Sequence, residues 1–409
     1  MPEVSPGFIR AYKTGYRLTV KYKTEKGWRD KSKYIPNIGK REAKIRLLEW
    51  RSSVIAQLEA QEREIDRENG YTDEEKRLRA LRKMPVPEYV SQTIDALDES
   101  GAIERSTVKD YRTSLKYIKK GLGSVPVSEI TRADVQKWEA ALTREGYKPP
   151  TVIKAHRLLR RTLSGAVMDG VIPNNPTDGV KPPKRSPGRP NALTTEGRSR
   201  VLDFLDANCD TPVTIAARIA LYCGLREGEI CGLKWRDVEI ETDAGGKPSG
   251  GTIWVRRSIG AGPNGLYVKP TKTNRVRDVP IPEALSVSLD AWRDEQGTLY
   301  EGTGADFEET YVIGDEQGFC PVWKITKGWR EIAALTKVIG TEGRPPTFHD
   351  LRHTYATCAI AANVDVKTVS SILGHANAAM TLNIYASADP DAKRRAAGTV
   401  DKAMRGKRD

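Results

Sequence analysis

The chain has 409 residues, of which 38% are apolar and 30% are charged. A chain of this length is too long for a single hydrophobic core, so two or three domains are expected. The sequence has no run of about 18 apolar residues, so no membrane-spanning helix is expected. Met1 to Ser5 lacks the basic and apolar segments of a secretion signal. Lys and Arg outnumber Asp and Glu by 67 to 54, a net charge of +13, which favours a polyanionic partner such as nucleic acid.

The cysteines argue for a reducing cytoplasm. They are scattered and form no Cys-x-x-Cys pair, a pattern that disfavours both a disulfide framework and a zinc ribbon. Buried, small apolar side chains are the expected role for most of them. The residues concerned are Cys209, Cys223, Cys231, Cys320 and Cys358.

Residues 8–35 predict a small β-sheet that opens the chain. Apolar and polar residues alternate with period two, which is typical of a half-buried strand. One face would be apolar and the other basic, either solvated or laid against DNA. The apolar positions are Tyr16, Leu18, Val20 and Tyr22, and they alternate with Arg17, Thr19, Lys21 and Lys23; Trp28 to Ile35 forms the return strand.

A long charged helix over 41–83, interrupted at Asn69-Gly70, predicts a solvated connector. After Pro85 and Pro87 the pattern is helical to about residue 170 and predicts four helices. Ser106 or Thr107 is the expected cap of one of these helices, and Thr131 with Asp134 of another. The last helix follows Pro149-Pro150 and is basic, with DNA contact favoured over mere solvation. Its basic residues are Lys154, His156, Arg157, Arg160 and Arg161.

Residues 181–190 contain four prolines and four basic residues and predict a linker. The block from 191 onward is mostly helical, with strands expected at 252–256, 266–269 and 277–281. Four local patterns stand out within it. They are Gly224-Leu-Arg226 with Glu229, Lys272 in a turn, His349-Asp-Leu-Arg352, and Leu373-Gly-His375 followed ten residues later by Tyr385.

These residue types together meet the needs of phosphodiester transfer. The reaction requires a nucleophile, a proton donor for the leaving oxygen, and positive charge for the transition state. Tyrosine can attack, arginine binds phosphate oxygens bidentately, lysine can protonate an alkoxide, and histidine can pass protons near neutral pH.

Each residue also has an ordinary structural explanation. Arg226 can pair with a surface glutamate, Lys272 can be a solvated turn lysine, and Tyr385 can be a core aromatic. His349 and His353, four residues apart on a helix, can bind a metal, although the Glu that follows the first His in zinc hydrolases is absent. Only the joint order and spacing favour chemistry.

That order resembles the catalytic domain of the tyrosine recombinase, or phage integrase, family. The resemblance covers 191–390 and implies Tyr385 as nucleophile, Lys272 as proton donor, and a supporting role for Glu229. It implies Arg226 and Arg352 as phosphate ligands, with His349 and His375 beside them. Residues 86–180 resemble the family's core-binding domain, and residues 8–50 its small arm-binding domain.

The resemblance implies a multidomain, mainly α fold with small β-sheets. An α+β catalytic domain of the DNA breaking-rejoining type would follow a four-helix, SAM-like core-binding domain and a three-stranded N-terminal domain. The expected segments are 1–60 for the arm-type domain, 61–84 for the connector, 85–180 for the core-binding domain, 181–190 for the linker, 191–390 for the catalytic domain and 391–409 for a basic tail.

The resemblance further implies metal-independent, cofactor-free recombination through a 3′-phosphotyrosyl bond, in a bacterial cytoplasm. The expected partners are double-stranded DNA at core and arm sites, three other copies in a tetramer on that DNA, and accessory DNA-bending or excision proteins. A type IB topoisomerase, a DNA-binding regulator and a metal-dependent nuclease stay open as alternatives. Candidate DNA contacts are Arg17, Lys21, Lys23, Lys154, Arg157, Arg160 and Arg161.

Overall fold

The computed structural model describes residues 4–24, 27–68, 70–185, 188–208, 211–271, 276–315 and 318–375, together with 397, 398, 400, 401 and 404. Side chains of 62, 63 and 65–68 lie outside this description. Helices dominate and the strands form small antiparallel sheets, so the expected fold class is confirmed. The chain divides into two units, Met1–Ile103 with Asp110–Arg185 and Glu104–Lys109 with Ser186–Asp409. The finer segment boundaries stay a prediction.

The first unit opens with an antiparallel sheet in the order β1-β2-β3, followed by a long helix. Leu18 and Val20 of the central strand are fully buried and pack with Ala43 and Leu47 of that helix, as the alternation predicts. The odd-numbered basic residues of the same strand are exposed on the opposite face. The elements are β1 (Phe8–Tyr12), β2 (Gly15–Thr24), β3 (Gly27–Pro36) and α1 (Lys40–Glu68).

Five further helices complete the first unit. They are α2 (Asp73–Lys83), α3 (Val86–Glu99), α4 (Arg105–Leu122), α5 (Arg132–Arg144) and α6 (Pro149–Met168), although the first residues of α4 are assigned to the second unit. The expected cap at Thr131 is confirmed, because its hydroxyl accepts from the amide of Asp134. The expected cap at Ser106 or Thr107 is wrong. The helix begins one residue before Ser106, and the carbonyl of Glu104 already accepts from the amides of Thr107 and Val108.

His156 does not belong to the basic face of α6. It is 3% exposed, and its Nδ1 lies 2.5 Å from Oε1 of the buried Glu139 on α5. Because α6 turns about 100° per residue, position 156 faces the core while its neighbours at 154 and 157 face solvent. The pair satisfies two buried polar groups inside the helical core.

The second unit packs helices around small sheets. Its helices are α7 (Thr195–Ala207), α8 (Pro212–Cys223), α9 (Glu227–Cys231), α10 (Glu283–Tyr300), α11 (Val322–Leu335), α12 (Phe348–Ala361) and α13 (Val366–Leu373). Its strands are β4 (Val238–Thr242), β5 (Pro248–Val255), β6 (Arg257–Gly262), β7 (Gly265–Pro270) and β8 (Arg277–Pro282), in sheets ordered β4-β5-β8 and β6-β7. Among the described residues no helix is long and apolar enough to cross a membrane.

The core of this unit is anchored by buried tryptophans whose indole nitrogens are satisfied. Trp235 donates to Gln296 Oε1 at 2.8 Å, and Trp329 donates to the carbonyl of Pro346 at 2.9 Å. Cys223 and Cys231 lie in the same core, and desolvation raises the pKa of both thiols. Together with the buried Cys320 they fit the expected role of small apolar residues; Cys209 lies outside the described residues.

Candidate active site

Gly224 ends α8 and starts the tight turn that presents Arg226. Its φ is +63°, a left-handed conformation that favours glycine. A Cβ at this position would lie 2.6 Å from Tyr355 Cδ1 and 2.7 Å from Leu373 Cδ2, so a side chain is also excluded by packing. The turn therefore requires the glycine of the Gly-Leu-Arg pattern.

Arg226 is the N-cap of the short helix α9. Its amide donates to Glu229 Oε2 at 2.9 Å, and its guanidinium Nη1 donates to Glu229 Oε1 at 2.8 Å. The spacing of three residues is thus that of a capping box, in which an acid at the third helical position reaches back to the cap. The side chain of Arg226 keeps 29% of its surface exposed, whereas that of Glu229 keeps 2%.

Helix α12 carries His349 and Arg352 one turn apart. Thr347 caps this helix in a capping box with Asp350, which fixes its first turn. Arg352 is 3% exposed and donates to the carbonyl of Gly224 at 2.7 Å. The strongly basic side chain is therefore held against the turn that presents Arg226.

The end of α13 gathers three arginines. Successive carbonyls of Ile372, Leu373 and Gly374 each accept a bond from a different guanidinium. The donors are Arg277 Nε at 2.9 Å, Arg352 Nη2 at 2.6 Å and Arg226 Nη2 at 3.1 Å, in that order. The last carbonyls of a helix lack partners within it and carry the negative end of its dipole, so cations are stable there. His375 follows directly.

One carboxylate stands among these three arginines. Glu229 accepts from Arg226 and also takes a two-point ion pair from Arg277, at 2.6 and 3.1 Å. Burial raises the pKa of Glu229, but the bonds and charges of Arg277 and Arg226 outweigh it, and the net pKa is lowered. Burial and the charge of Arg226 lower the pKa of Arg352 to about 9, which still leaves it charged at neutral pH. The cluster is therefore net positive.

Two histidines face this positive charge in their neutral form. Desolvation, His353 and Arg352 lower the pKa of His349 to about 4, even though the residue as a whole is exposed to solvent. Desolvation and the charges of Arg352 and Arg226 likewise lower the pKa of His375 to about 4. At neutral pH each imidazole can donate one hydrogen bond and accept another.

The arrangement suits an anion, because arginines with spare N–H donors surround a single internal carboxylate. Among the described residues no group of three or more His, Cys, Asp and Glu is placed to hold an ion. The rings of His349 and His353 meet edge to face at 4.9 Å, and the buried Nδ1 of His353 has no hydrogen-bond partner within the part of the chain that the structure describes.

The structure brings together Arg226, Glu229, His349, Arg352 and His375. Lys272 and Tyr385 lie outside the described residues. Arg277 is part of the cluster but was missed by the sequence analysis, which treated it only as the first residue of a strand. Its sole sequence signal is a basic residue at the start of an apolar strand, a common and uninformative feature.

The candidate DNA contacts occupy two exposed surfaces of the first unit. Arg17, Lys21 and Lys23 are exposed on β2, where the guanidinium of Arg17 lies 4.7 Å from the ring centre of Tyr12. All four candidates on α6 are exposed. These candidates are Lys154, Arg157, Arg160 and Arg161. Lys154 pairs with Asp110 at 3.2 Å, Arg160 pairs with Asp178 at 3.1 Å, and Arg161 donates to Tyr111 Oη at 3.0 Å.

The phage integrase family profile matches residues 191–391, the block that carries this site. Residues 191–391 therefore form a phage integrase family domain. Among curated relatives, a XerC-like tyrosine recombinase of Caldanaerobacter subterraneus subsp. tengcongensis is 28% identical over 309 residues, which cover 70% of this chain and 74% of the relative. The tyrosine recombinase XerD of Listeria monocytogenes serotype 4b is 25% identical over 291 residues, 68% of this chain and 87% of the relative. The resemblance seen in the sequence is confirmed.

Solved integrase structures share the fold. The Tn1549 transposon integrase bound to circular intermediate DNA superposes with a TM-score of 0.62 at 21% identity, over 78% of this chain and 99% of that one. A lambda integrase dimer on a COC′ core site superposes with a TM-score of 0.55 at 17% identity, over 94% of this chain and 95% of that one. The likeness to lambda integrase thus extends into the N-terminal part of the chain.

Proposed function

We propose that this family member is a site-specific tyrosine recombinase that integrates and excises a mobile element or phage genome. The observation that carries the proposal is the cluster at the end of α13, where Arg226, Arg352 and His375 converge ten residues before Tyr385. A short stretch of chain would therefore link an anion-binding pocket to a tyrosine.

The roles follow from what each group can do. Tyr385 attacks the scissile phosphate and forms a 3′-phosphotyrosyl bond, while Lys272 donates a proton to the departing 5′ oxygen. Arg226 and Arg352 bind the non-bridging oxygens as charge builds on them, because guanidinium contacts are planar and bidentate. His349 and His375, neutral near pH 7, hydrogen-bond the phosphate and pass protons. Attack of a partner strand's 5′ hydroxyl on the covalent bond then restores Tyr385.

The two basic surfaces of the first unit are proposed DNA contacts. The outer face of the β1-β2-β3 sheet would bind arm sites through Arg17, Lys21 and Lys23. Tyr34 on β3 lies opposite Arg17 in the sheet and extends the same face. The exposed face of α6 would bind the core site. Phosphate contacts of this kind weaken as salt rises, because binding releases condensed counterions.

The proposed assembly is a tetramer on paired core sites in a bacterial cytoplasm. Support comes from a relative in this fold, since lambda integrase is described as a tetramer bound to a Holliday junction. The Tn1549 integrase, described with transposon end DNA, supports a mobile-element substrate. Accessory DNA-bending or excision proteins belong to the same proposal.

Capture of a covalent adduct tests the proposed function. Purified protein is mixed with DNA that carries candidate element ends, nicked beside the scissile phosphate so that the cleaved strand diffuses away, with chelator present throughout. The mixture is denatured and the attached DNA is sequenced. We expect an adduct at a defined position, unaffected by chelator, in the wild type and none in Tyr385→Phe, which retains DNA binding.

The other outcomes identify the alternatives. Cleavage that chelator stops indicates a metal-dependent nuclease. A topoisomerase is indicated if adducts form at many unrelated sequences and if the protein relaxes supercoiled plasmid without paired sites. Salt-dependent binding without any adduct on the trapping substrate indicates a DNA-binding regulator and contradicts the proposal.

A further inference from the structure

Arg277 lies in the cluster yet has no role in the chemistry described so far. All three of its side-chain nitrogens donate within the protein, Nε to the carbonyl of Ile372 and the two Nη atoms to Glu229. Its side chain is 12% exposed, against 29% for Arg226. With its nitrogens engaged and its surface covered, Arg277 is poorly placed to bind a ligand and well placed to hold its neighbours.

The first neighbour is Glu229, which would otherwise act on Arg226 alone. A buried carboxylate that faces one guanidinium cancels most of its charge, and a phosphate would gain little from binding it. Arg277 donates two hydrogen bonds to Glu229 and so neutralises most of its negative charge. Arg226, which also bonds Glu229, therefore keeps positive charge for an incoming anion. Arg277 therefore influences the phosphate ligand through an intermediate residue.

The second neighbour is the backbone turn after α13. Gly374 has a φ of +61°, and a Cβ built there would lie 3.1 Å from Cζ, Nε and Nη1 of Arg277. The guanidinium is thus packed flat against this glycine, while its Nε bonds the carbonyl two residues earlier. The direction in which the chain leaves α13 toward His375 is fixed by this contact.

We propose that Arg277 is a positioning residue of the strand-cleavage site: it balances Glu229 and fixes the end of α13 so that Arg226 and His375 face the scissile phosphate together. The inference rests on the proposed recombinase function. It assigns to a strand residue the task of joining two parts of the site that are 148 residues apart in sequence, Arg226 and Gly374.

The chain offers a matched control in Arg257. Its side chain is 13% exposed and pairs with Asp237, which is 1% exposed, so it resembles the pair of Arg277 with Glu229 in burial and chemistry. Arg257→Gln should therefore destabilise the same unit to a similar degree as Arg277→Gln. Only the latter disturbs the end of α13.

The first readout is cleavage of the nicked trapping DNA at saturating protein, below the unfolding temperature of every variant. Arg277→Gln should cleave about tenfold slower or worse, given that loss of a charged transition-state contact costs about a hundredfold or more and this loss is indirect. Arg277→Lys should recover part of the rate by restoring charge beside Glu229, and Arg257→Gln should cleave within about threefold of wild type.

The second readout is coupling. If Arg277 acts through Arg226, the double variant Arg226→Lys/Arg277→Gln should be little slower than Arg226→Lys alone, because the second change removes a support that is already lost. Rates that multiply, or an Arg257→Gln variant as slow as Arg277→Gln, would overturn the proposal.

A third readout separates this inference from the proposed function. The imidazole NMR signal of His375 should shift in Arg277→Gln and stay in place in Arg257→Gln, whether or not DNA is cut. Absence of a Tyr385 adduct in the wild type contradicts the recombinase function. An unmoved His375 signal in Arg277→Gln contradicts the positioning role.

Discussion

Glu229 is the residue whose replacement tests the electrostatic account of the site most directly. In Glu229→Gln the shape is nearly kept, but Arg226 and Arg277 lose the carboxylate that they share. Because Glu229 is 3% exposed and Arg277 is largely covered, the change breaks a buried ion pair from one side. Such a break costs about 3–5 kcal/mol, since the remaining charge stays buried without its partner.

That free-energy loss converts to a measurable shift. For a unit of this size, 1 kcal/mol corresponds to about 2–4 °C in the unfolding midpoint, so Glu229→Gln should unfold roughly 6–20 °C earlier. Calorimetry of the full chain can follow the affected transition at pH 7.5. The control is Glu309→Gln, which removes an exposed carboxylate paired with Lys234 and Arg236 and should stay near wild type.

The direction in which stability changes with pH can also be checked. The pKa of Glu229 is lowered from its usual 4.5, so its contribution to stability is fully present above pH 4.5 and is lost as the pH falls through the folded pKa. The gap between wild type and Glu229→Gln should be constant above pH 4.5 and close below it. A gap under about 1 kcal/mol at pH 7.5 would refute the view that Glu229 is a buried, shared counter-charge.

Two further predictions concern protons and packing. His349 and His375, two of the four histidines, should titrate near pH 4 by NMR. The free energy of unfolding should fall as the pH drops from 6.5 toward 4, because in that range the unfolded state binds those two protons and the folded state does not. A His375 titration near pH 6.5 would contradict this. Gly228→Ala should cost about 1–3 kcal/mol in urea unfolding, since its Cβ would lie 2.7 Å from the carbonyl oxygen of Ile259 on β6. The matched change Gly165→Ala in α6, where nothing lies within 4 Å, should instead stabilise by about 0.5–1 kcal/mol, and equal effects would refute the packing argument.

Patterns local in sequence predicted the local structure well. The alternation of β2, the capping box at Thr131 and the helix that carries His349 and Arg352 all depend on residues a few positions apart. Strands β4 and β6 were missed for a physical reason. The first has the period-two alternation of a strand, Val-Glu-Ile-Glu-Thr, but spans only five residues, too short for the pattern to stand out. The second is glycine-rich, Ser-Ile-Gly-Ala-Gly, and glycine is depleted in strands.

What the sequence could not show are the contacts between distant backbone and side-chain atoms. The carbonyls of Ile372, Leu373 and Gly374 carry no signal in a sequence, so their three arginine donors could not be grouped. Arg277 was overlooked for this reason. His156 was assigned to a basic surface because its buried partner, Glu139, lies on another helix.

The anchoring of the arginines by α13 also has a consequence for how the protein is made. Arg226 leaves the ribosome long before the carbonyls that orient it, and Arg352 depends on carbonyls at both residue 224 and residue 373. A nascent or prematurely terminated chain that lacks α13 therefore has its basic residues but no organised pocket. The anion-binding arrangement of the arginines is therefore complete only after α13 has been synthesised and has folded onto the turn at Gly224.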